Sequence, residues 1–97
     1  MQLTGGSMAP TIPAGAEFFA EEIHPHDWAR VQDRVVVVET FAGLTLCGRV
    51  LENELADTNC LLLHFDRKEK PRQQAVPAEA IAALWVAVRL AERQKIR

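Results

Sequence analysis

Val35-Val36-Val37-Val38 is the stretch that decides the fold class of this chain. Four consecutive β-branched residues favour the pleated backbone of a strand, and a continuous apolar run predicts a strand buried on both faces. The next residues, Thr40-Phe41-Ala42-Gly43, have the composition of a turn, and residues 44–51 return as a second apolar run. A loop of roughly three to five residues between two such runs predicts a β-hairpin.

The residues before this hairpin predict a loop, a strand and a short turn. Residues 1–15 are rich in Gly, Pro, Ser and Thr, which is typical of loops. Glu17-Phe18-Phe19-Ala20-Glu21-Glu22-Ile23 predicts a short strand with acidic flanks. Residues 24–30 form a polar connection that we expect to contain one helical turn anchored by Trp28.

After the hairpin the pattern predicts a bend, a strand and a loop. Residues 52–59 are polar and predict a bend, whereas Cys60-Leu61-Leu62-Leu63-His64-Phe65 predicts another strand. Six of the nine residues in 66–74 are charged, which predicts a solvated surface loop. We see no repeat, low-complexity tract or internal linker, so residues 1–97 are expected to form a single domain.

The last segment fits two structures. Pro77-Ala78-Glu79-Ala80-Ile81 is typical of a helix start. The apolar residues that follow helical spacing are Ile81, Leu84, Trp85, Val88 and Ala91. Alternating apolar residues also fit a strand, and these are Leu84, Val86, Val88 and Leu90. Composition alone leaves residues 82–94 open between helix and strand.

Composition and charge limit the classes of partner. The chain has 97 residues, of which 48% are hydrophobic and 25% charged, with a formal net charge of −2. A nucleic-acid binder usually shows a basic excess or stripe, so we expect no direct DNA contact by this segment. No apolar run approaches the roughly 20 residues of a membrane span, and residues 1–6 lack the pattern of a signal peptide. We therefore expect a cytoplasmic protein without membrane contact.

Neither the cysteines nor the histidines form a metal-type pattern. Cys47 and Cys60 are far apart, and we expect reduced core residues on strands, with a disulfide as the alternative. His24-Pro25-His26-Asp27 contains ligand residue types, but nothing else supplies the remaining ligands, so a solvated turn is favoured. We expect no metal and no cofactor.

The stretch with chemical meaning is Gly6-Ser7-Met8-Ala9-Pro10-Thr11-Ile12-Pro13-Ala14-Gly15. Glycine permits a tight turn and a close backbone approach, and the prolines stiffen the loop that follows. A serine presented on such a turn has the setting of a nucleophile, with nearby backbone amides as oxyanion donors. The same hydroxyl also has a structural interpretation, because serine often hydrogen-bonds the turn in which it lies.

Ser7-Met8-Ala9-Pro10 followed by Gly15 resembles the serine element of the LexA-type self-cleaving peptidase domain, also found in phage repressors and SOS mutagenesis proteins. Type I signal peptidases share a related element and core fold, and they match less well because we expect no membrane anchor here. The resemblance implies a mainly β fold of compact, strongly bent sheets with β-hairpins and at most one short helix. It also favours a short helical turn near Ala78 to Ile81, followed by a strand.

In that family the hairpin strand carries a catalytic lysine in a Val-Lys-Arg-like context. Here the strand is Leu46-Cys47-Gly48-Arg49-Val50-Leu51, and aligning Arg49 with the family's arginine places Gly48 where the lysine belongs. Glycine accepts no proton, and a serine nucleophile needs a base. The lysines that remain lie in the charged loop or at the end of the chain, namely Lys68, Lys70 and Lys95. The histidines left as alternative bases are His24, His26 and His64.

The family's self-cleavage dipeptide, such as Ala-Gly, lies upstream of the serine. Only six residues precede Ser7, and Ala42-Gly43 falls in the hairpin turn instead. We therefore expect no cleavage of this chain by itself.

These patterns lead to three hypotheses. The first is the dimerisation domain of a LexA-like or phage-type repressor, forming the C-terminal part of a longer regulator. It would be a homodimer that contacts DNA only through an N-terminal domain outside this chain, since tethering two weak DNA-binding heads raises their affinity. The second is an active serine autopeptidase that uses Ser7 with a relocated base. The third is a stand-alone protein with an unrelated binding role.

Overall fold

Six antiparallel strands form one sheet in the residues that the computed structural model describes, which are 17–66 and 72–90, with the side chains of 17–66 and 72–88. The strands are β1 (Phe18–Ile23), β2 (Arg34–Thr40), β3 (Thr45–Val50), β4 (Cys60–His64), β5 (Gln73–Pro77) and β6 (Ile81–Leu90). The prediction of a mainly β chain is confirmed.

The order of strands in the sheet is β1-β6-β2-β3-β4-β5. Strands β2 to β5 follow one another as a meander, whereas β6 returns to lie between β1 and β2. Trp85 of β6 accordingly pairs with Glu22 on one side and with Val37 on the other. The strand alternative for the last segment is therefore confirmed through residue 90.

The valine run lies in β2, inside the sheet, and is buried on both faces as predicted. Val35 is 1% exposed and Val36, Val37 and Val38 are 0% exposed. Successive side chains on a strand point to opposite faces, so the run contributes to two cores. We call one side the large-core face, and its buried strand residues include Val36, Val38, Val50, Leu61, Leu63, Leu84 and Val86. We call the other side the Cys47 face, and its buried residues are Phe18, Val35, Val37, Cys47 and Ala87.

The β2–β3 hairpin has the predicted turn. The N–H of Thr40 donates to the carbonyl of Leu44 over 2.9 Å, and the N–H of Gly43 donates to the carbonyl of Thr40 over 3.0 Å. Gly43 has φ of 89°, a conformation that glycine adopts without steric cost. The hairpin tip therefore has a defined conformation.

Two 3-10 helices occupy the predicted turn positions. The first, Pro25–Arg30, contains Trp28, whose indole N–H donates to the carbonyl of Ile23 over 2.9 Å. The second, Ala78–Ala80, directly precedes β6. Both agree with the expected short turns, and within the described ranges no helix is long and apolar enough to cross a membrane.

The polar bend predicted for residues 52–59 is wrong in part, because it contains a short α-helix, α1 (Leu55–Thr58). Leu55 is buried at 8% exposure. The Asn53 side chain donates to the carbonyls of Trp28 and Val31 over 2.7 and 2.6 Å, and its oxygen accepts from the N–H of Leu55 over 3.0 Å. A four-residue helix is too short to show a period in the sequence, so only these tertiary contacts define it.

The solvated loop predicted for residues 66–74 is also wrong at both ends, while residues 67–71 lie outside the described part. Gln73 and Gln74 begin strand β5, which pairs with β4 along its full length. Only Val76 of this strand is buried. An edge strand with one buried side chain has no clear apolar alternation, so its sequence does not distinguish it from a loop.

Candidate functional site

The serine element lies outside the described residues. This holds for Ser7, Met8, Pro10 and Gly15, so their predicted role stays a prediction. The strand on which the resemblance places the second member of the catalytic pair is β3, which contains Gly48 and lies entirely within the described residues. The candidate site is therefore built from β3 and β4.

Gly48 lies in β3, opposite Val36 of β2, and it is buried. A Cβ atom added at Gly48 would lie 2.8 Å from Cβ of Leu63, 3.3 Å from the carbonyl oxygen of His64 and 3.3 Å from Cε1 of Phe65. These are closer than van der Waals contact, and Leu63 Cβ cannot rotate away because it is bonded to the backbone. At the position that the resemblance assigns to the lysine, any side chain would therefore require β3 and β4 to move apart.

The residues on either side of Gly48 point to the Cys47 face. Cys47 belongs to the buried cluster of that face, and Arg49, two positions along the strand, shares its side. Arg49 is paired directly with His64 of β4, so His64 lies on this face too. The structure thereby brings one of the three histidines named as possible bases onto the same sheet face as Cys47.

Arg49 forms an ion pair with Asp66, just after the end of β4. Its Nη2 is 3.1 Å from Oδ2 of Asp66, and its Nε is 3.5 Å from Oδ1. The two side chains are 19% and 23% exposed, so the pair is largely shielded from water. Two parallel contacts of this kind fix the relative orientation of guanidinium and carboxylate, and they connect β3 to the segment after β4.

Cys47 is the most strongly perturbed titratable group that the structure describes. Burial of its thiol, followed by the negative charge of Asp66, raises its pKa to about 12. Both effects disfavour the thiolate, which is the nucleophilic form of cysteine. Cys47 is thus protonated at neutral pH, and it packs as a small buried residue in the core of the Cys47 face.

The two cysteines are free, as expected, and the strand register excludes a disulfide between them. Arg49 pairs with His64 in antiparallel orientation, so Cys60 lies opposite the residues after β3 rather than opposite Cys47. The two are separated along the strands by about six residues, or roughly 20 Å at the rise of a strand. A disulfide needs Cα atoms within roughly 7 Å.

The other histidines form a local turn contact. His24 Nδ1 accepts a hydrogen bond from the N–H of His26 over 3.2 Å, and both residues are exposed. Across residues 17–66 and 72–90, no three side chains of His, Cys, Asp or Glu are arranged to hold a metal ion.

Sequence reasoning missed the Arg49–Asp66 ion pair and the effect of the Asp66 charge on the pKa of the Cys47 thiol. The charged run predicts that Asp66 lies in a solvated loop, and its half-buried position corrects that prediction. The alternation of β3 was a usable signal, because it places Cys47 and Arg49 on one side and Gly48 on the other. The partner on β4 depends on the register, which local sequence does not encode.

No protein-family model, curated protein or solved structure matches this chain.

Proposed function

We propose that this chain is a non-cleaving assembly domain of a LexA-like or phage-type transcriptional repressor. The domain forms a homodimer and needs no cofactor. It acts in the cytoplasm and contacts DNA only through an N-terminal domain outside the chain. The proposal starts from the resemblance of Ser7-Met8-Ala9-Pro10 and Gly15 to the family's serine element.

The absence of space at Gly48 is the observation that carries the non-cleaving part of this proposal. A Ser-Lys pair requires a lysine on the hairpin strand, and a Cβ at Gly48 would lie 2.8 Å from Leu63 Cβ. None of the six strands contains a lysine, because the three lysines are at positions 68, 70 and 95. The Cys47 thiol, next to Gly48 on β3, has a pKa of about 12, so at neutral pH it already holds its proton and accepts none.

Loss of cleavage leaves an assembly role intact, because dimerisation depends on the complementarity of two surfaces and not on the Ser-Lys catalytic pair. Symmetric dimers are the commonest oligomers. A dimer that joins two DNA-binding heads converts the second binding step into an intramolecular one.

Two measurements test this proposal. The longest natural form of the protein is incubated from neutral to alkaline pH beside its Ser7→Ala variant, and both are followed by intact mass spectrometry. High pH favours any neutral amine base, so it gives cleavage the best conditions. We expect intact protein in both samples, and a dimer in sedimentation at tens of micromolar. Cleavage lost in Ser7→Ala would overturn the non-cleaving role, and a monomer would overturn the assembly role.

The alternative is an autopeptidase that uses Ser7 with a base other than lysine. His64 is the histidine that favours it, because it lies half-buried on a sheet strand instead of in an exposed turn. This alternative predicts cleavage that both Ser7→Ala and His64→Gln abolish, while His26→Gln, at an exposed site, retains it.

A further inference from the structure

The Cys47 face is excluded from water, although no described helix lies over it. Its buried side chains, between 0 and 4% exposed, are Phe18, Val35, Val37, Cys47 and Ala87, and all of them lie on strands. The helices pack on the opposite side of the sheet, where Trp28, Leu55 and Ala78 contact the large-core cluster. A sheet face loses its contact with water when a second layer packs on it. Within residues 17–66 and 72–90, no element supplies that layer for the Cys47 face.

The sheet does not form this layer by folding over itself. Arg49 pairs with His64 and His64 pairs with Gln73, so Gln73 lies on the Cys47 face, as does Ala75 two residues later. Gln73 and Ala75 are both exposed, and the buried cluster of this face contains no residue of β4 or β5. The burial is a property of one chain on its own. The cover therefore comes from a stretch of the same chain outside the described residues.

The burial is concentrated at the end of the sheet where the chain enters it. Glu39 and Thr45 pair with each other on the Cys47 face at one end, and both are exposed. Phe18 is the first residue of β1, at the opposite end of the sheet, and is 2% exposed. The indole N–H of Trp85, between these two ends, is also buried. The cover thus begins beside Phe18, where residues 1–16 lead into the sheet.

Composition selects residues 1–16 among the stretches outside the described part. Residues 67–71 contain four charged residues in five and residues 91–97 contain four in seven, whereas residues 1–16 contain none. Burying a charge without a partner is costly, so the uncharged stretch is the one that suits an apolar face. Fully extended, this stretch reaches roughly 50 Å, whereas the four strands of the buried cluster span roughly 15 Å. Residues 1–16 are therefore long enough to cross the face.

We propose that residues 1–16 dock on the Cys47 face of their own chain and form its second layer. The large apolar side chains that this segment offers to the cluster include Leu3, Met8 and Ile12. Pro10 and Pro13 have no N–H, so the segment carries fewer backbone donors that an apolar surface would leave unpaired. The docking does not depend on the proposed repressor function, since the burial of the face and the composition of the segment alone support it.

The two tryptophans report on opposite faces and give the first test. Trp85 packs against the Cys47 cluster and Trp28 against the large-core cluster. In the full chain, Ile12→Asp is expected to shift the emission of Trp85, read in a Trp28→Phe background, to longer wavelength. The emission of Trp28, read in a Trp85→Phe background, is expected to stay unchanged. The matched control is Ile96→Asp, which makes the same change in the charged C-terminal stretch and should shift neither emission.

Labelling of the Cys47 thiol gives a second readout. In a Cys60→Ala background Cys47 is the remaining thiol, and a brief pulse of N-ethylmaleimide followed by mass spectrometry measures its accessibility. We expect Met8→Asp and Ile12→Asp each to raise the rate of labelling at least about tenfold, because a charge in the apolar contact opens the face. Ile96→Asp should raise the rate less than about twofold.

Photo-crosslinking identifies the contact directly and does not rely on a destabilising change. A benzophenone amino acid is placed at position 12 of the full chain, and mass spectrometry maps the crosslinked residue. A mixture of isotope-labelled and unlabelled chains separates crosslinks within one chain from those between two chains. We expect crosslinks within one chain to Val35, Val37 or Ala87.

The crosslinks decide the outcome if Ile12→Asp shifts both tryptophans, because that result would mean that the variant has unfolded as a whole. Crosslinks to Val36 or Val86, on the large-core face, or crosslinks between two chains would overturn the docking. Equal labelling of Cys47 in the wild type and in both segment variants would also overturn it, and so would exposure of the face by Ile96→Asp.

Discussion

Gly48 of β3 and Leu63 of β4 lie diagonally across the two strands, so close together that a Cβ on Gly48 would lie 2.8 Å from Cβ of Leu63. The glycine therefore permits the approach of the two strands and lets the ring of Phe65 cover β3. Close packing of β3 against β4 therefore requires a glycine at position 48, where the resemblance predicts a lysine.

We predict that Gly48→Ala destabilises the fold. Alanine in a strand normally gains roughly 0.5–1 kcal/mol over glycine, but overpacking a filled core costs about 1–3 kcal/mol, so the loss is larger. Gly48→Lys should destabilise more and should not introduce cleavage. Urea unfolding measures both. Gly43→Ala is the comparison, because Gly43 has open space but φ of +89°, and its loss of about 1 kcal/mol arises from the backbone alone. An unchanged free energy of unfolding in Gly48→Ala would show that β3 and β4 can move apart without loss of stability.

The Arg49–Asp66 pair should couple the strands energetically. At 19% and 23% exposure it is shielded, so we expect a coupling energy of about 1–2 kcal/mol in a double-mutant cycle with Arg49→Ala and Asp66→Ala. The comparison is Asp27 with Arg30, an i,i+3 pair at 3.8 Å with side chains 55% and 85% exposed. That pair should show less than about 0.5 kcal/mol. Equal coupling energies for the two pairs would contradict the expectation that shielding from water strengthens the Arg49–Asp66 pair.

The two tryptophans should respond differently to loss of their indole N–H. Trp28 donates to Ile23, so Trp28→Phe leaves a carbonyl without its donor and should cost about 1 kcal/mol. The indole N–H of Trp85 is buried and has no partner among the residues described. Trp85→Phe removes that unpaired donor, so we expect it to be at least about 1 kcal/mol less destabilising than Trp28→Phe. Thermal or urea unfolding of the two variants gives the comparison, and the reverse order would contradict it.

The Cys47 thiol should make stability fall at alkaline pH. Its pKa rises from 9.0 in the unfolded chain to about 12 in the fold, so the folded state holds the proton more tightly. The full stabilisation is present below pH 9 and is lost as the pH rises toward 12, by up to about 1.4 kcal/mol per pH unit. We expect this slope in urea unfolding of the wild type.

Cys47→Ala should flatten that slope, since it removes the titrating group. Cys60→Ala is the control, because it leaves Cys47 in place and should retain the slope. Equal pH dependence in the wild type and in Cys47→Ala would refute the assignment.

Local sequence determined most of the strands of this protein. The valine run, the hairpin after it and the strand at residues 60–65 are visible because β-branched and apolar residues favour the strand backbone and burial. For the last segment the sequence left two alternatives, a short helical turn followed by a strand or one continuous helix, because the residues of β6 also fit a helical period. The packing of Leu84 and Val86 on one face and Ala87 on the other selects the strand.

Tertiary structure decided the position of β6 between β1 and β2, the pairing of β5, the helix α1 and the contacts of β3. Each depends on which residues meet across long stretches of chain, and strand register and order follow from those pairings rather than from local preference. For the same reason the resemblance only predicts that Gly48 stands in place of a lysine, whereas the distance to Leu63 shows that a side chain there would force the strands apart. The Arg49–Asp66 pair likewise exists because β4 returns beside β3 and brings together residues 17 positions apart.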